Sequence, residues 1–341
     1  MTRTLEVAAV RPEPRPIPVE RGLLIAGGLF VAFNTAALVI LRAGDLAQWA
    51  PLLVWIACAV AGERLLMRWL PGRDPLFFPL ALFLAGWGLL LVFPLTPQMA
   101  DRQALWLALG TGVVLAIVRA RSLLHWLRRY RYTLLLASLI LLVATIQFGT
   151  NPSGAAGAPT LWLGFGGFYG QPSELLKVML VIFLASYLAA QFPAMRAGGR
   201  RAILSPALFG PLLLMWGISV VVLVWQRDLG TAVLVFAIFM LLLYVASGMT
   251  SLLIVGALLV VLAGIAAYYL FAVVRLRVDI WIDPWPEATD RAYQIVQSLM
   301  AFGAGGAAGQ GIGQGAPGYI PVAHSDFVFA ALAEEWGLLG V

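Results

Sequence analysis

The sequence predicts an all-α, polytopic helical membrane protein, and three observations carry that prediction. Of the 341 residues, 62% are hydrophobic and only 11% charged, with a mean hydropathy of +0.92. Apolar runs recur at about the 20-residue length that a helix needs to cross hydrocarbon, where bare backbone amides find no partner. The arginines are sorted unevenly between alternate connecting segments, as expected where positive charge stays on the cytoplasmic side.

Residues 1–21 carry Arg3, Arg11, Arg15 and Arg21 among prolines and acids. They lack the short apolar core and small-residue cleavage site of a signal peptide, and are read as a disordered cytoplasmic tail. Nine complete spans are expected after it: Leu23 to Leu41, Leu46 to Ala61, Leu76 to Leu95, Ala104 to Val118, Leu134 to Phe148, Leu175 to Ala190, Pro206 to Trp225, Leu229 to Ser247 and Leu252 to Val273. A tenth begins at Phe327 and is only partly present. With the N-terminus inside, inner segments hold 15 arginines and outer segments 6. Lys177, the only lysine, falls within a span. The polar stretches Thr150 to Glu174, Gln226 to Asp228 and Arg275 to Asp326 then face outward.

Composition also excludes several classes. The net charge of +6 invites a nucleic-acid reading, but no soluble segment interleaves basic residues with aromatics. Cys58 is the only cysteine, so neither a disulfide framework nor a thiolate metal site is available. His125 and His324 are the only histidines and are assigned to opposite faces, which rules out a histidine cluster.

In the first outer stretch, Gln171-Pro172-Ser173-Glu174 opens the sixth span. Pro172 loses nothing at a helix start, and Glu174 complements the dipole. Lys177 follows at i+3 on the same face. A capped helix with a structural ion pair accounts for these residues; the depth of the pair in the membrane favours a cavity-lining role instead. In the second stretch, Asp228 suits an N-cap of the eighth span. The third mixes Arg275, Arg277, Asp279, Trp281, Asp283 and Trp285, as an interfacial aromatic belt does. An amphipathic helix from Asp290 follows, with Gln294, Gln297 and Ser298 able to line a polar groove. Gly303, Gly305, Gly306, Gly309, Gly311, Gly313 and Gly315 come next. Such a run serves as a phosphate nest, a re-entrant turn or a small-residue packing face, and the sequence leaves all three open. Asp326 stands where the tenth span begins, beside His324 and Ser325. Glu334 and Glu335 lie about 12 Å deeper at 1.5 Å per residue.

These stretches together resemble the SEDS family, the FtsW, RodA and SpoVE type of bacterial cell-wall polymerase. The matching motifs are Gln171-Pro-Ser-Glu174 with Lys177, Gln226-Arg-Asp228-Leu-Gly-Thr, Tyr293-Gln294 with Gln297-Ser298, the glycine run, and Ile320-Pro321 leading to His324-Ser325-Asp326-Phe327 and Glu334-Glu335. The resemblance covers about Leu76 to Val341. It departs from the family in having five spans, not three, before the Gln-Pro-Ser-Glu motif, in Val322 where many members carry glutamate, and in Arg227 where many carry proline. The family also continues through about three more helices. The expected organisation is therefore a tail over 1–21, two additional N-terminal spans over 22–70, and a SEDS-type bundle over 71–341 with its large outer loop and without its C-terminal part.

The resemblance implies a peptidoglycan glycosyltransferase that polymerises lipid II at the outer face of the bacterial plasma membrane beside a class B penicillin-binding protein, with membrane lipids around it and no nucleic acid. The family's essential acidic residue in the large outer loop corresponds to Asp326, the candidate general base. Gln171, Glu174, Lys177, Asp228, Arg275, Arg277, Gln294, Gln297, Ser298, His324 and Ser325 are the candidate substrate contacts. Positive charge for the departing pyrophosphate would come from Lys177, Arg275, Arg277 or a divalent cation; no cofactor is firmly implied. A lipid II flippase would use the same cavity but needs an inward-open state. A secondary transporter would carry inverted repeats, and none is found. A non-catalytic scaffold would tolerate loss of Asp326.

Overall fold

The computed structural model describes residues 17–41, 46–120, 122–151, 160–165, 168–203, 206–226 and 228–341, with side chains at 17–18, 46–47, 98, 165, 168, 193–203 and 207–208 left aside. Most of the expected tail, Arg227 and residues 152–159 lie outside the described residues. Thirteen α-helices are seen among the described residues: α1 (Ile17–Leu41), α2 (Ala50–Trp69), α3 (Phe77–Leu95), α4 (Pro97–Arg119), α5 (Leu123–Arg129), α6 (Arg131–Phe148), α7 (Pro172–Ile203), α8 (Pro206–Trp225), α9 (Leu229–Ser247), α10 (Thr250–Leu270), α11 (Ala272–Ile282), α12 (Tyr293–Gly305) and α13 (Val328–Gly340). Eight are long and apolar enough to cross a membrane, and α8 contributes a shorter apolar helix, Phe209–Trp225. The nine expected spans therefore all appear as helices. Their outer faces carry large bare hydrophobics such as Ile254, Leu258 and Leu270, which water would not tolerate in such density but lipid does.

The chain divides into two compact units, residues 1–121 with 276–341 and residues 122–275. In the first, α2 packs on α4, α1 on α3, and α12 on α13. Trp55 of α2 anchors the core: it is buried, and its indole N–H donates to the Leu82 carbonyl of α3 at 2.8 Å. Gly86 allows this approach, since a Cβ there would lie 2.6 Å from Val31 and 2.7 Å from the Trp55 nitrogen. Helix α1 begins at Ile17, earlier than the tail boundary at 21 anticipates. Long-range pairing explains the difference. Glu20 takes a forked contact from Arg73 at 2.8 and 2.9 Å with both side chains 9% exposed, and Arg21 pairs with Glu63.

In the second unit, Leu135 and Leu142 of α6 pack with Leu176, Leu180 and Phe183 of α7 around a fully buried core. Asp228 caps α9 as its spacing anticipates, accepting from the Thr231 amide at 3.1 Å. Gly248 closes the same helix in the left-handed conformation, φ 68°, a position that costs glycine nothing. Between α6 and α7 the chain forms a small hairpin, β1 (Leu163–Phe165) against β2 (Phe168–Gly170), with Leu163 opposite Gly170.

Candidate active site

The loop from α12 to α13 is built by backbone contact, and two of its glycines take the packing role that the sequence offered among three. A Cβ on Gly305 would strike the Ala333 carbonyl, and one on Gly309 would strike that of Glu335. Gly309, at φ 80°, also occupies a backbone region that glycine alone adopts freely. Gln310 N–H donates to the Glu334 carbonyl at 2.9 Å and Gly311 N–H to that of Glu335 at 3.0 Å. Leu338 N–H returns a bond to Gly306 at 2.9 Å, helped by a break in α13 at Gly337, φ 66°. Gly305 and Gly309 thus form a packing face between two segments of backbone, while Gly303 and Gly306 meet open space.

The adjacent carboxylates follow from this arrangement. Glu334 and Glu335 are both buried, and Glu334 Oε1 accepts the Ala316 amide at 2.9 Å. The Glu334 side chain thereby ties the last part of the glycine-rich loop to α13. It also lines a cavity of ≈ 150 Å³ together with Gln297, Met300 and Ala304 of α12 and Tyr319 and Ile320 of the loop.

Asp326 is exposed. Its carboxylate accepts the Ser325 hydroxyl at 3.3 Å. The residue at the start of α13 is Phe327, and no side chain caps that helix. Asp326 therefore does not serve the helix it precedes. Its turn is shaped by Val322, whose φ of 57° is the positive value of a non-glycine residue among those described. The Val322 carbonyl receives the amides of both Ser325 and Asp326 at 3.1 Å. A β-branched residue held at positive φ is strained, and such strain persists where the surroundings over-determine a shape. His324 is half-buried beside this turn.

The other candidates separate clearly. Ser298 is buried, with its hydroxyl donated to the Ile295 carbonyl at 2.7 Å. Gln294 and Gln297 are half-buried on α12, and Arg277 is exposed on α11. In the other unit, Lys177 donates to Glu174 at 2.7 Å; the glutamate is 63% exposed and the lysine 20%. Gln171 is half-buried at the foot of α7, and its carbonyl accepts the Glu174 amide at 3.0 Å. Arg275 is engaged with the end of α10, its guanidinium reaching the Tyr268 and Tyr269 carbonyls at 3.4 and 3.2 Å. Asp228 keeps Oδ2 buried with no hydrogen-bond partner. Close by in sequence, the Gln226 amide joins two helices, donating to the Leu142 carbonyl at 2.7 Å and to the Thr145 hydroxyl at 2.8 Å. Sequence reasoning named Gln226 only as the first residue of a motif and gave Tyr319 no role, because neither stands in a periodic pattern. For Gln226 the motif and the short connection around it were the available signals.

Comparison with known proteins decides the family. A model described as cell cycle protein, of the FtsW, RodA and SpoVE type, matches residues 92–341. The chain belongs to this family. Among curated members, the peptidoglycan glycosyltransferase RodA of Mycobacterium bovis is 32% identical over the whole chain and 76% of its own length. That alignment takes in α1 and α2, which precede the family match. A probable peptidoglycan glycosyltransferase FtsW of a Geobacter strain is 32% identical over 81% of this chain and 76% of its own. Among solved structures, a chain from a peptidoglycan synthase complex that coordinates polymerization and crosslinking is 27% identical, with a TM-score of 0.55 over 75% of this chain and 69% of that one. The FtsW, RodA and SpoVE relationship agrees with the ordered motifs from Gln171 to Glu335.

Proposed function

We propose that this multi-pass membrane protein is a peptidoglycan glycosyltransferase, joining lipid II units into glycan strands at the outer face of the plasma membrane. The observation that carries the proposed mechanism is the carboxylate of Asp326, which is exposed, sits on a strained turn and caps no helix. In the reaction, a sugar 4-hydroxyl attacks the anomeric carbon of a second, lipid-linked saccharide. The hydroxyl oxygen forms the new C–O bond, Asp326 takes its proton, and the old bond breaks with its electron pair leaving on polyprenyl pyrophosphate. A general base is needed because a sugar hydroxyl is a poor nucleophile at neutral pH. One displacement inverts the anomeric centre and requires no protein nucleophile.

Cationic groups would offset the charge that develops on the leaving pyrophosphate. Exposed Arg277 suits that role better than Arg275, whose guanidinium already serves the end of α10. The polyprenyl chain would lie against the apolar helix faces. A class B penicillin-binding protein is the proposed partner, supported by the likeness to a chain from a synthase complex that also crosslinks. The test is polymerisation of lipid II by the purified full-length protein together with its transpeptidase. Glycan strands lost on changing Asp326 support the reading; no strands from the wild-type pair overturn it.

A further inference from the structure

We propose that the cavity between α12 and α13 is the subsite for the acceptor's unbranched 2-acetamido sugar, the ring that carries the attacking 4-hydroxyl. This rests on the glycan polymerase reading and extends it to the part of the substrate each wall would hold. At ≈ 150 Å³, the cavity has room for several waters but falls well short of the roughly 300–1,000 Å³ of sites that engulf a drug-sized ligand. One sugar ring suits it; a ring with a peptide branch does not.

The lining narrows the choice further. Met300, Ala304 and Ile320 give an aliphatic wall suited to the C–H face of a pyranose. Tyr319, 69% exposed at the rim, offers an aromatic face to the same ring. The Gln297 carboxamide carries a donor and an acceptor, the complement of an acetamido group. Glu334 lines the space with Oε1 on the Ala316 amide, and a carboxylate is an acceptor for a sugar hydroxyl. A carboxylate and no basic residue line the space, so an anionic pyrophosphate is disfavoured there and a neutral polyol is not.

Position connects this cavity to the chemistry. Ala301 and Ile320 line it and also belong to one apolar cluster with Ala323 and Ala330. Those two residues flank Asp326 at three and four positions. A ring seated against Ile320 is thereby registered to the turn that presents the base.

The experiment uses the full-length protein with its transpeptidase, with lipid II and an analogue bearing a free amine in place of the acetamido group on the unbranched sugar. Ala304→Leu, at an exposed position, fills the space; Gln297→Ala removes only the amide. Each should raise KM for lipid II about 10-fold with kcat within about 3-fold, the signature of lost uniform binding. The analogue should lose a similar factor against wild type and little more against Gln297→Ala, because one contact cannot be removed twice. Unchanged KM in Gln297→Ala, or an equal analogue penalty in both proteins, overturns the subsite while polymerisation stands. If Ala304→Leu fails to insert, the Gln297 cycle decides alone. A wild-type pair that makes no glycan removes the polymerase reading and the subsite with it.

Discussion

The rings of Phe30 and Trp336 lie 5.5 Å apart, so the first helix of the chain touches the residue next to Glu335. Trp87 completes the group, 5.5 Å from Trp336 and 5.8 Å from Phe30. Helix α1 precedes the family match, yet it supports the helix that carries both buried glutamates. Phe30→Ala and Trp336→Ala should each destabilise the protein, and the double variant should fall short of their sum by about 1 kcal/mol, the usual worth of an aromatic pair beyond its area. Thermal unfolding in detergent measures this. Additive losses would mean that the rings are neighbours without coupling.

Asp326→Asn separates a base from a structural carboxylate. Asn keeps the shape and can still accept from Ser325, and no capping bond is lost because none exists. Folding and partner binding should be unchanged while polymerisation drops by about 10²-fold or more. Near-normal strand synthesis by this variant would take the residue out of the mechanism.

Helices were the most legible part of the sequence, because a span is recorded in some 20 consecutive residues. The Asp228 cap was equally local, since its partner Thr231 lies three residues away. What stayed hidden depends on residues far apart. Glu20 and Arg21 sit among prolines and arginines and read as tail, but their partners Arg73 and Glu63 are 53 and 42 residues on. The glycine run was ambiguous for the same reason: which glycines touch Ala333 or Glu335 is decided by how α13 folds back. Within the candidate site, Asp326 was legible through its motif. The cavity between α12 and α13 was not, because Tyr319 and Glu334 meet there only after the loop has closed.

The Glu174–Lys177 pair tests whether an ion pair is structural. With the glutamate 63% exposed, an i,i+3 contact of this kind stabilises a helix by only about 0.2–0.5 kcal/mol. Glu174→Gln should therefore barely move the melting temperature. If it nonetheless cuts polymerisation about 10-fold or more, the carboxylate meets substrate. Equal, small effects on both measurements would leave the pair a helix feature.

Two glycines two residues apart should respond in opposite ways. A methyl on Gly303 meets open space, whereas one on Gly305 runs into the Ala333 carbonyl. Gly303→Ala should be neutral or stabilising by about 0.5–1 kcal/mol, and Gly305→Ala destabilising by about 1–3 kcal/mol. Comparable melting temperatures for the two variants would contradict the close backbone packing of α12 on α13.

Orientation is open to direct labelling. In a Cys58→Ala background, cysteine at exposed Thr289 should react with an impermeant thiol reagent in intact cells, and cysteine at exposed Ala120 should react only after permeabilisation. The reverse pattern would put Asp326 on the wrong side of the membrane for lipid II polymerisation.

The buried fork between Glu20 and Arg73 closes a loop of 53 residues. Glu20 marks one end of α1 and Arg73 lies in the turn joining α2 to α3, so the two meet only when both ends rest at the same membrane surface. Removing either partner would leave the other a buried charge without its counter-ion, at a cost of about 3–5 kcal/mol. The pair therefore latches the start of the first helix to a turn that the chain reaches only after two spans.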